Sequence, residues 1–278
     1  MLRFILITIL ATLGLVACSG GAGVNSTTGV NSTTGVNSTT GVNSELGSTL
    51  HHWDKEAWMK KNMQPAPYLN QWATKNAQAY MPKKIQGVPL PKDAPTDAVI
   101  WQRPACIIAP FTGSGPTKTA AQDGVLELNG YAHTEFGAVA AGIGLFSAAA
   151  SSKDVATAIE KATGISPREA QRIAATNKAL VNNRSDYDDS STPECSGHVE
   201  RPTQYRVIDY SDTQAIIDYF IPMSGENIGA SMRISVDWKN GDWRLNSDSF
   251  SAYDSAIDAA KKTNGKGWSI TPSDFTQW

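Results

Sequence analysis

Cysteine is the residue type in this chain whose placement most suggests chemistry, and it occurs as Cys18, Cys106 and Cys195. A thiol can be alkylated, can pair in a disulfide or can bind a metal, depending on its compartment and neighbours. Cys18 directly follows residues 1–17, which combine one early positive charge, Arg3, with a short apolar run. This is the layout of a secretory signal peptide, and the run is shorter than the roughly 20 residues of a membrane-spanning helix. The sequence therefore predicts an exported chain.

The residues just before Cys18 form a more specific processing signal. Leu15-Val16-Ala17-Cys18 resembles the lipobox of bacterial lipoproteins. The resemblance implies that Cys18 receives a diacylglyceryl thioether, becomes the new N-terminus and anchors the protein to the extracytoplasmic side of a cell membrane. An ordinary signal peptide followed by a coincidental cysteine is the alternative.

Cys106 and Cys195 remain after lipidation, an even number in an oxidising compartment. Both lie in sequence that is typical of loops, Arg-Pro-Ala-Cys and Thr-Pro-Glu-Cys-Ser-Gly. We predict a disulfide between them, with two free thiols as the alternative. No Cys-x-x-Cys or paired-histidine spacing accompanies them, so we do not expect a metal site.

The other side chains that could act in catalysis lack the context of a catalytic motif. Ser114, between two glycines, has no strand–turn–helix pattern around it. Of the four histidines, His133 precedes a helix cap and His198 follows a loop, positions more typical of structural or solvated side chains. We therefore predict neither catalytic residues nor a cofactor.

Charge and composition narrow the class of partner. The 278 residues carry a net charge of −2, which becomes −3 when Arg3 is lost with the signal, and 41% of them are hydrophobic. Such a nearly neutral chain gives no reason to expect nucleic-acid binding or a footprint on anionic lipid. Its hydrophobic content is enough for one globular core within the roughly 230 residues that follow the signal and tether.

The composition divides the chain into four parts. They are a lipoprotein signal peptide, residues 1–17; the lipidated cysteine and a flexible tether, 18–49; an aromatic extension with a Pro-rich linker, 50–97; and a folded domain, 98–278. The tether repeats the hexapeptide Gly-Val-Asn-Ser-Thr-Thr, which has no aromatic, charged or periodic apolar residues and cannot bury a core. About 30 such residues span roughly 30 Å.

Helix signals come first in the folded domain. Thr134 can cap a helix over residues 135–150 that is lined with glycine and alanine. Ser152 can cap a second helix, ended by Gly164, and Ser166 begins a capping box with proline at the first helical position.

Strand signals follow, because the hydrophobic period changes from 3.6 to 2. Strands are predicted over 204–209 and 213–221, over 231–238, and after the turn Asn240-Gly241. In the third strand, Met232, Ile234, Val236 and Trp238 share one face and are expected to pack on the first helix. The predicted fold is α+β, three helices followed by a curved four-stranded antiparallel sheet.

Three stretches carry a resemblance to a domain family. They are Gly130-Tyr131-Ala132-His133-Thr134-Glu135-Phe136-Gly137-Ala138, the hairpin Val236-Asp237-Trp238-Lys239-Asn240-Gly241-Asp242-Trp243-Arg244-Leu245, and Phe275-Thr276-Gln277-Trp278. They resemble an uncharacterised actinobacterial domain that usually follows a membrane anchor, often in mobile or conjugative elements. The resemblance implies a cystatin-like or nuclear-transport-factor-like roll, which scaffold subunits of type IV secretion machines share. It offers no catalytic residues, and this chain departs from it in the lipid anchor and in an insertion over 247–266.

Two functions of different classes follow. The first is a non-enzymatic envelope lipoprotein, anchored to the membrane through its lipid, that binds a protein partner as an accessory scaffold of a conjugative or secretion apparatus. The second is a small-ligand-binding or enzymatic roll with an aromatic-lined pocket, for which the candidates are Tyr205, Tyr219, Trp238 and Trp243. A filled core favours the first and an apolar pocket with an acid–base pair favours the second. The sequence leaves the oligomeric state open.

Overall fold

The fold is built on a long helix of small residues that packs across one face of an antiparallel sheet. The computed structural model describes residues 53–65, 79–177, 201–222, 228–252, 269–270 and 274–278. All of these residues belong to the compact unit Thr49–Trp278. Cys18, the hexapeptide repeat and Cys195 lie outside the described residues.

The three predicted helices are confirmed: α2 spans Glu135–Ser151, α3 Val155–Thr163 and α4 Pro167–Thr176. The predicted Thr134 cap is present, since its hydroxyl accepts a hydrogen bond from the Gly137 N–H at 3.0 Å. The predicted Ser152 cap of α3 is wrong, because the Ser152 hydroxyl donates back to the Ala148 carbonyl. Asp154 caps α3 instead, accepting from the Thr157 N–H.

Two hairpins and a short helix precede these helices. The helix α1 spans Lys55–Asn62. The hairpins join β1 (Val99–Gln102) to β2 (Ala109–Thr112) and β3 (Lys118–Gln122) to β4 (Val125–Asn129), with a 3₁₀ turn over Pro104–Cys106 inside the first. Sequence analysis missed the strands because they are short and β2 is buried along its whole length, so its residues do not alternate.

The main sheet contains the predicted strands and two additional ones. Its strands are β5 (Gln204–Tyr210), β6 (Gln214–Pro222), β7 (Ile228–Lys239), β8 (Asp242–Leu245), β9 (Ser269–Ile270) and β10 (Thr276–Gln277). Along the sheet the order is β10-β5-β6-β7-β8. The short strand β9 also pairs with β7, at the end of β7 that β8 does not reach. The β7–β8 turn is the predicted Asn-Gly hairpin turn, with φ of 56° at Asn240 and 78° at Gly241.

The predicted fold class is therefore wrong as a description of the architecture. Three helices followed by one four-stranded sheet leaves out both early hairpins, α1 and the strands β9 and β10. The last two strands have only two residues each, too few to show any period, and they join the sheet through pairing with distant strands.

The face of the sheet toward α2 is buried, and the helix approaches it closely at Gly142. Met232, Ile234 and Val236 are buried, as predicted, and Trp238 is half-buried. A Cβ added to Gly142 of α2 would lie 2.5 Å from the Tyr219 hydroxyl oxygen and 3.4 Å from a methyl of Ile234. Glycine thus permits the helix backbone to approach the strands as closely as it does.

Candidate functional site

The carboxylate of Asp242 fastens the β7–β8 turn to the segment that leads into α2. It accepts hydrogen bonds from the backbone N–H groups of Gly130 at 2.7 Å, Tyr131 at 3.0 Å and Trp243 at 2.9 Å. Three donors on one nearly buried carboxylate satisfy both of its oxygens. The role of the Asp242 side chain is therefore structural: it joins the β7–β8 turn to the start of α2.

His133 and two tryptophans complete this junction. The His133 ring stacks on Trp238 with centroids 4.0 Å apart, and meets Trp243 edge-on at 5.7 Å. Its Nε2 lies 2.6 Å from the backbone carbonyl of Asp212, which can only accept, so Nε2 carries the proton. The Trp243 indole N–H donates to the Ala132 carbonyl at 2.9 Å. The first two of the stretches that carry the family resemblance thus meet at the start of α2.

A second aromatic group surrounds Trp278. Its ring centroid lies 5.0 Å from Tyr205, 5.2 Å from Trp101 and 6.1 Å from Phe136. The indole nitrogens of Trp101 and Trp278 are buried and make no hydrogen bond within the part of the chain that the structure describes. Burial raises the pKa of Tyr205, and the nearby negative charges of Glu135 and Asp97 add to the effect.

The four candidate pocket residues are divided between these two groups. Tyr205 lies opposite Tyr219 across β5 and β6, and Trp238 lies opposite Trp243 across β7 and β8. Tyr219 and Trp243 are fully buried. The Tyr219 hydroxyl donates to the Val139 carbonyl at 2.6 Å, and burial raises its pKa well above the usual value, which keeps the donor protonated. A cavity lined by all four stays a prediction.

The opposite face of the main sheet carries a charged group that sequence analysis did not find. Asp218 of β6 lies between Arg206 of β5 and Arg233 of β7, its partners in the strand register. Arg233 donates to both carboxylate oxygens, at 2.7 Å and 2.9 Å, and Arg206 donates at 3.0 Å. Arg206 also pairs with Asp274.

The electrostatics of this group favour the ionised carboxylate. Burial pushes the pKa of Asp218 upward, but hydrogen bonds from Arg233 and Arg206 outweigh it, so the pKa lies below its usual value. The Asp218 side chain is 7% exposed, whereas the Arg233 side chain is 56% exposed. A fixed carboxylate therefore orients guanidinium groups that still reach solvent. We call the surface formed by Arg206, Asp218, Ser231, Arg233 and Ser235 the outer face.

The remaining side chains with possible chemistry are the cysteines and the potential metal ligands. Cys106 is disulfide-bonded. Because Cys195 lies outside the described residues, its pairing with Cys106 stays a prediction, as does the lipidation of Cys18. Among the described residues no group of three or more histidine, cysteine or acidic side chains could hold a metal ion. Nor does any helix there combine the length and apolar character that crossing a bilayer demands.

Comparison with known protein families places most of this structure in one family. Residues 65–268 match a family model described as a domain of unknown function, DUF8175. The chain belongs to the DUF8175 family. The matched region includes the junction at the start of α2 and the whole outer face. The prediction of an uncharacterised domain is therefore confirmed, while the lipobox lies outside the match.

No curated protein and no solved structure matches the chain.

Proposed function

We propose that this protein is a lipid-anchored, non-enzymatic envelope protein whose DUF8175 domain binds a protein partner through its outer face. Its more specific form, an accessory scaffold of a conjugative or secretion apparatus, rests on the sequence resemblance of three stretches. The lipid on Cys18 and the repeat tether would hold the domain at the extracytoplasmic surface of the membrane.

The proposal is supported by a difference between the two faces of the main sheet: α2 covers one face, whereas the outer face keeps Ser231 and Arg233 exposed beside the buried side chains of Asp218 and Phe220. On the closed face, α2 approaches so near that Gly142 has no room for a Cβ beside Tyr219. A ligand pocket between helix and sheet would need that space. On the outer face, Arg233 is exposed and hydrogen-bonded to the carboxylate of Asp218, and Ser231 beside it is also exposed.

The chemistry of the outer face suits a protein surface. Arginine is enriched in protein interfaces because its planar guanidinium makes several directed hydrogen bonds. Asp218 holds Arg233 in one orientation, which lowers the entropy lost when a partner binds. The side chains that carry the family resemblance, by contrast, are engaged in contacts that fasten the fold, which supports a non-enzymatic role.

Site-specific photo-crosslinking in the envelope tests the partner. A photoreactive residue at Ser231, exposed on the outer face, should give a discrete covalent adduct with a second protein. The same residue at Ala120, exposed on β3 in the early hairpin, is the matched control and should not. Equal labelling at both positions, or none at Ser231, would exclude the outer face as the interface.

Metabolic labelling with a fatty-acid analogue tests the anchor independently. The wild-type chain should incorporate the label and Cys18→Ser should not. Label that persists in the variant would overturn the lipidation and leave the crosslinking result untouched.

A second candidate, binding of a small polar ligand, is favoured by the buried indole groups of Trp101 and Trp278. Two unpartnered donors next to Tyr205 would be satisfied by an acceptor oxygen. A crystal structure with an organic molecule bonded to either Nε1 would support this candidate. A water molecule there, or no molecule, would reject it.

A further inference from the structure

A nearly neutral chain conceals a local cluster of lysines. Lys60 and Lys61 end α1, while Lys83 and Lys84 lie more than 20 residues further along the chain. The Lys83 ammonium donates to the Lys60 carbonyl at 3.0 Å and to the Lys61 carbonyl at 2.9 Å. These bonds satisfy carbonyls at the helix C-terminus and bring the two lysine pairs together. We call these four residues the lysine cluster.

Backbone hydrogen bonds hold the lysine cluster to the rest of the domain. The Lys83 N–H donates to the Asn62 carbonyl at 2.9 Å, which joins the end of α1 to the segment around Tyr80. Tyr80 in turn accepts from the Arg103 N–H at 2.9 Å and donates to the Trp101 carbonyl at 2.8 Å. The cluster is therefore part of the folded unit and has a defined position on it.

No ion pair neutralises the charge of the cluster within the part of the chain that the structure describes, since none of its four ammonium groups takes part in one there. The only acidic residues in 53–65 and 79–87 are Asp54 and Glu56, at the other end of α1. Asp54 is occupied as the helix cap, accepting from the Ala57 N–H.

An apolar side chain stands beside the charges. Ile85 directly follows Lys84 and is 68% exposed, the most exposed large hydrophobic residue in the described part of the chain. The lysines also border an apolar groove of about 290 Å³, since Lys60 and Lys83 line it together with Met59, Met63 and Tyr80. Positive charge around exposed apolar side chains is the pattern that binds the headgroup region of anionic bilayers.

We propose that the lysine cluster and Ile85 dock the domain on anionic phospholipid headgroups. The proposal rests on the membrane location in the proposed function, because α1 begins only 37 residues after Cys18 in the sequence. If the tether of about 30 residues has the composition-based r.m.s. span of roughly 30 Å expected from the sequence, it would hold this surface near the bilayer. At that range even a weak attraction is sufficient to orient the domain, since tethering raises the effective concentration of headgroups.

Vesicle flotation tests the docking surface without the lipid anchor. The probe protein is residues 18–278 carrying Cys18→Ala, mixed with vesicles of phosphatidylglycerol and phosphatidylcholine or of phosphatidylcholine alone. We expect flotation only with the anionic vesicles, decreasing as salt is raised. Equal flotation with both vesicle types, or none with either, would overturn the proposal.

Charge variants show which lysines bind. Lys60→Gln/Lys61→Gln/Lys84→Gln leaves Lys83 to cap α1 and should lower partitioning about 100-fold, from roughly one factor of five per charge. The matched control Lys118→Gln/Lys161→Gln/Lys239→Gln removes the same total charge and should change partitioning less than about threefold. Equal losses would show that net charge, not the lysine cluster, governs binding. Far-UV circular dichroism checks that both variants fold.

The variant Ile85→Ser distinguishes binding to a bilayer from binding to an acidic protein. Because this isoleucine would insert into the bilayer, losing it should lower partitioning into anionic vesicles about tenfold and leave binding to polyglutamate unchanged. Binding to polyglutamate without vesicle flotation would reassign the surface to an acidic polypeptide and reject the membrane. Because neither the lipid nor the outer face takes part in this assay, its failure is distinct from failure of the proposed function.

Discussion

The two faces of the main sheet use the same strands in opposite ways. On β6, Ile217 and Tyr219 point toward α2 and are fully buried, while their neighbours Ile216 and Asp218 point to the outer face. Adjacent residues therefore lie on opposite faces, because strand side chains alternate with a period of two. The face toward α2 is apolar and buried, whereas the outer face combines a buried carboxylate with exposed polar side chains.

Tyr219 and Asp218 show how each face satisfies a buried polar group. Tyr219 stays neutral and donates one hydrogen bond to the backbone of α2. Asp218 stays charged and accepts from two arginines whose other sides reach water. A neutral hydrogen bond suits the apolar face, whereas a buried charge needs several donors to compensate for its lost hydration.

The largest expected effect is on the closed face. Ile217→Ala should lower the free energy of unfolding by about 2–5 kcal/mol, because it leaves a cavity opposite Ile234. Ile216→Ala, one residue away on the outer face, is the matched control and should cost below about 1.5 kcal/mol. Denaturant melts measure both. Equal costs would show that the sheet is buried on both sides.

Asp218→Asn should have the next largest effect, about 2 kcal/mol at neutral pH, since charged hydrogen bonds to two arginines are weakened. The pKa of Asp218 is lower in the folded protein than in the unfolded chain. Its stabilising effect is therefore fully present above the ordinary aspartate pKa of about 3.9 and is lost as pH falls through the folded value. Melts of wild type and variant should differ at pH 7 and converge in acid. A constant difference across this range would contradict the ion-pair explanation.

Tyr219→Phe should cost about 1 kcal/mol, the usual net value of one buried hydrogen bond. The ring remains in place, so the cost should not reach that of Ile217→Ala. Thermal unfolding measures it, with Tyr210→Phe, a less buried tyrosine on the same sheet, as the control. A cost as large as that of a cavity would mean that the hydroxyl itself positions α2.

Arg233→Gln should have the smallest effect on stability, about 0.5 kcal/mol, because its side chain is largely exposed and Arg206 still pairs with Asp218. Under the proposed function it should nevertheless weaken the crosslink formed from Ser231. Unchanged crosslinking in this variant would show that the oriented guanidinium takes no part in binding.

Sequence analysis succeeded where the determining contacts are local. The caps at Thr134 and Ser166 and the Asn240-Gly241 turn depend on residues within one turn of the chain, so the helices and the last hairpin could be predicted. The early hairpins could not, because their strands have only four or five residues each and β2 is buried along its whole length. The prediction that Ser152 caps α3 was wrong because Asp154, two residues later, is an equally good cap. The choice between them depends on the packing of the helix, which the sequence does not show.

The four candidate pocket residues also show which contacts the sequence could predict and which it could not. Aromatic residues at alternating strand positions predict a shared face, and the pairs Tyr205 with Tyr219 and Trp238 with Trp243 are indeed neighbours. The separation of these pairs into two groups depends on Trp278 and His133, which come from outside those strands. No spacing in the sequence reveals such contacts.

The sequence by itself determined the helices α2 to α4, the β7–β8 hairpin, the small residues that α2 needs and the expectation of an exported, lipidated chain. Only the tertiary structure decided which charges meet. Arg206, Asp218 and Arg233 are 12 and 15 residues apart and come together through strand register. The lysine cluster forms because Lys83 reaches back to the carbonyls of Lys60 and Lys61. Net charge is a sum over the whole chain and does not say where the charges lie. Electrostatic attraction depends on the distance between charges, and folding sets that distance.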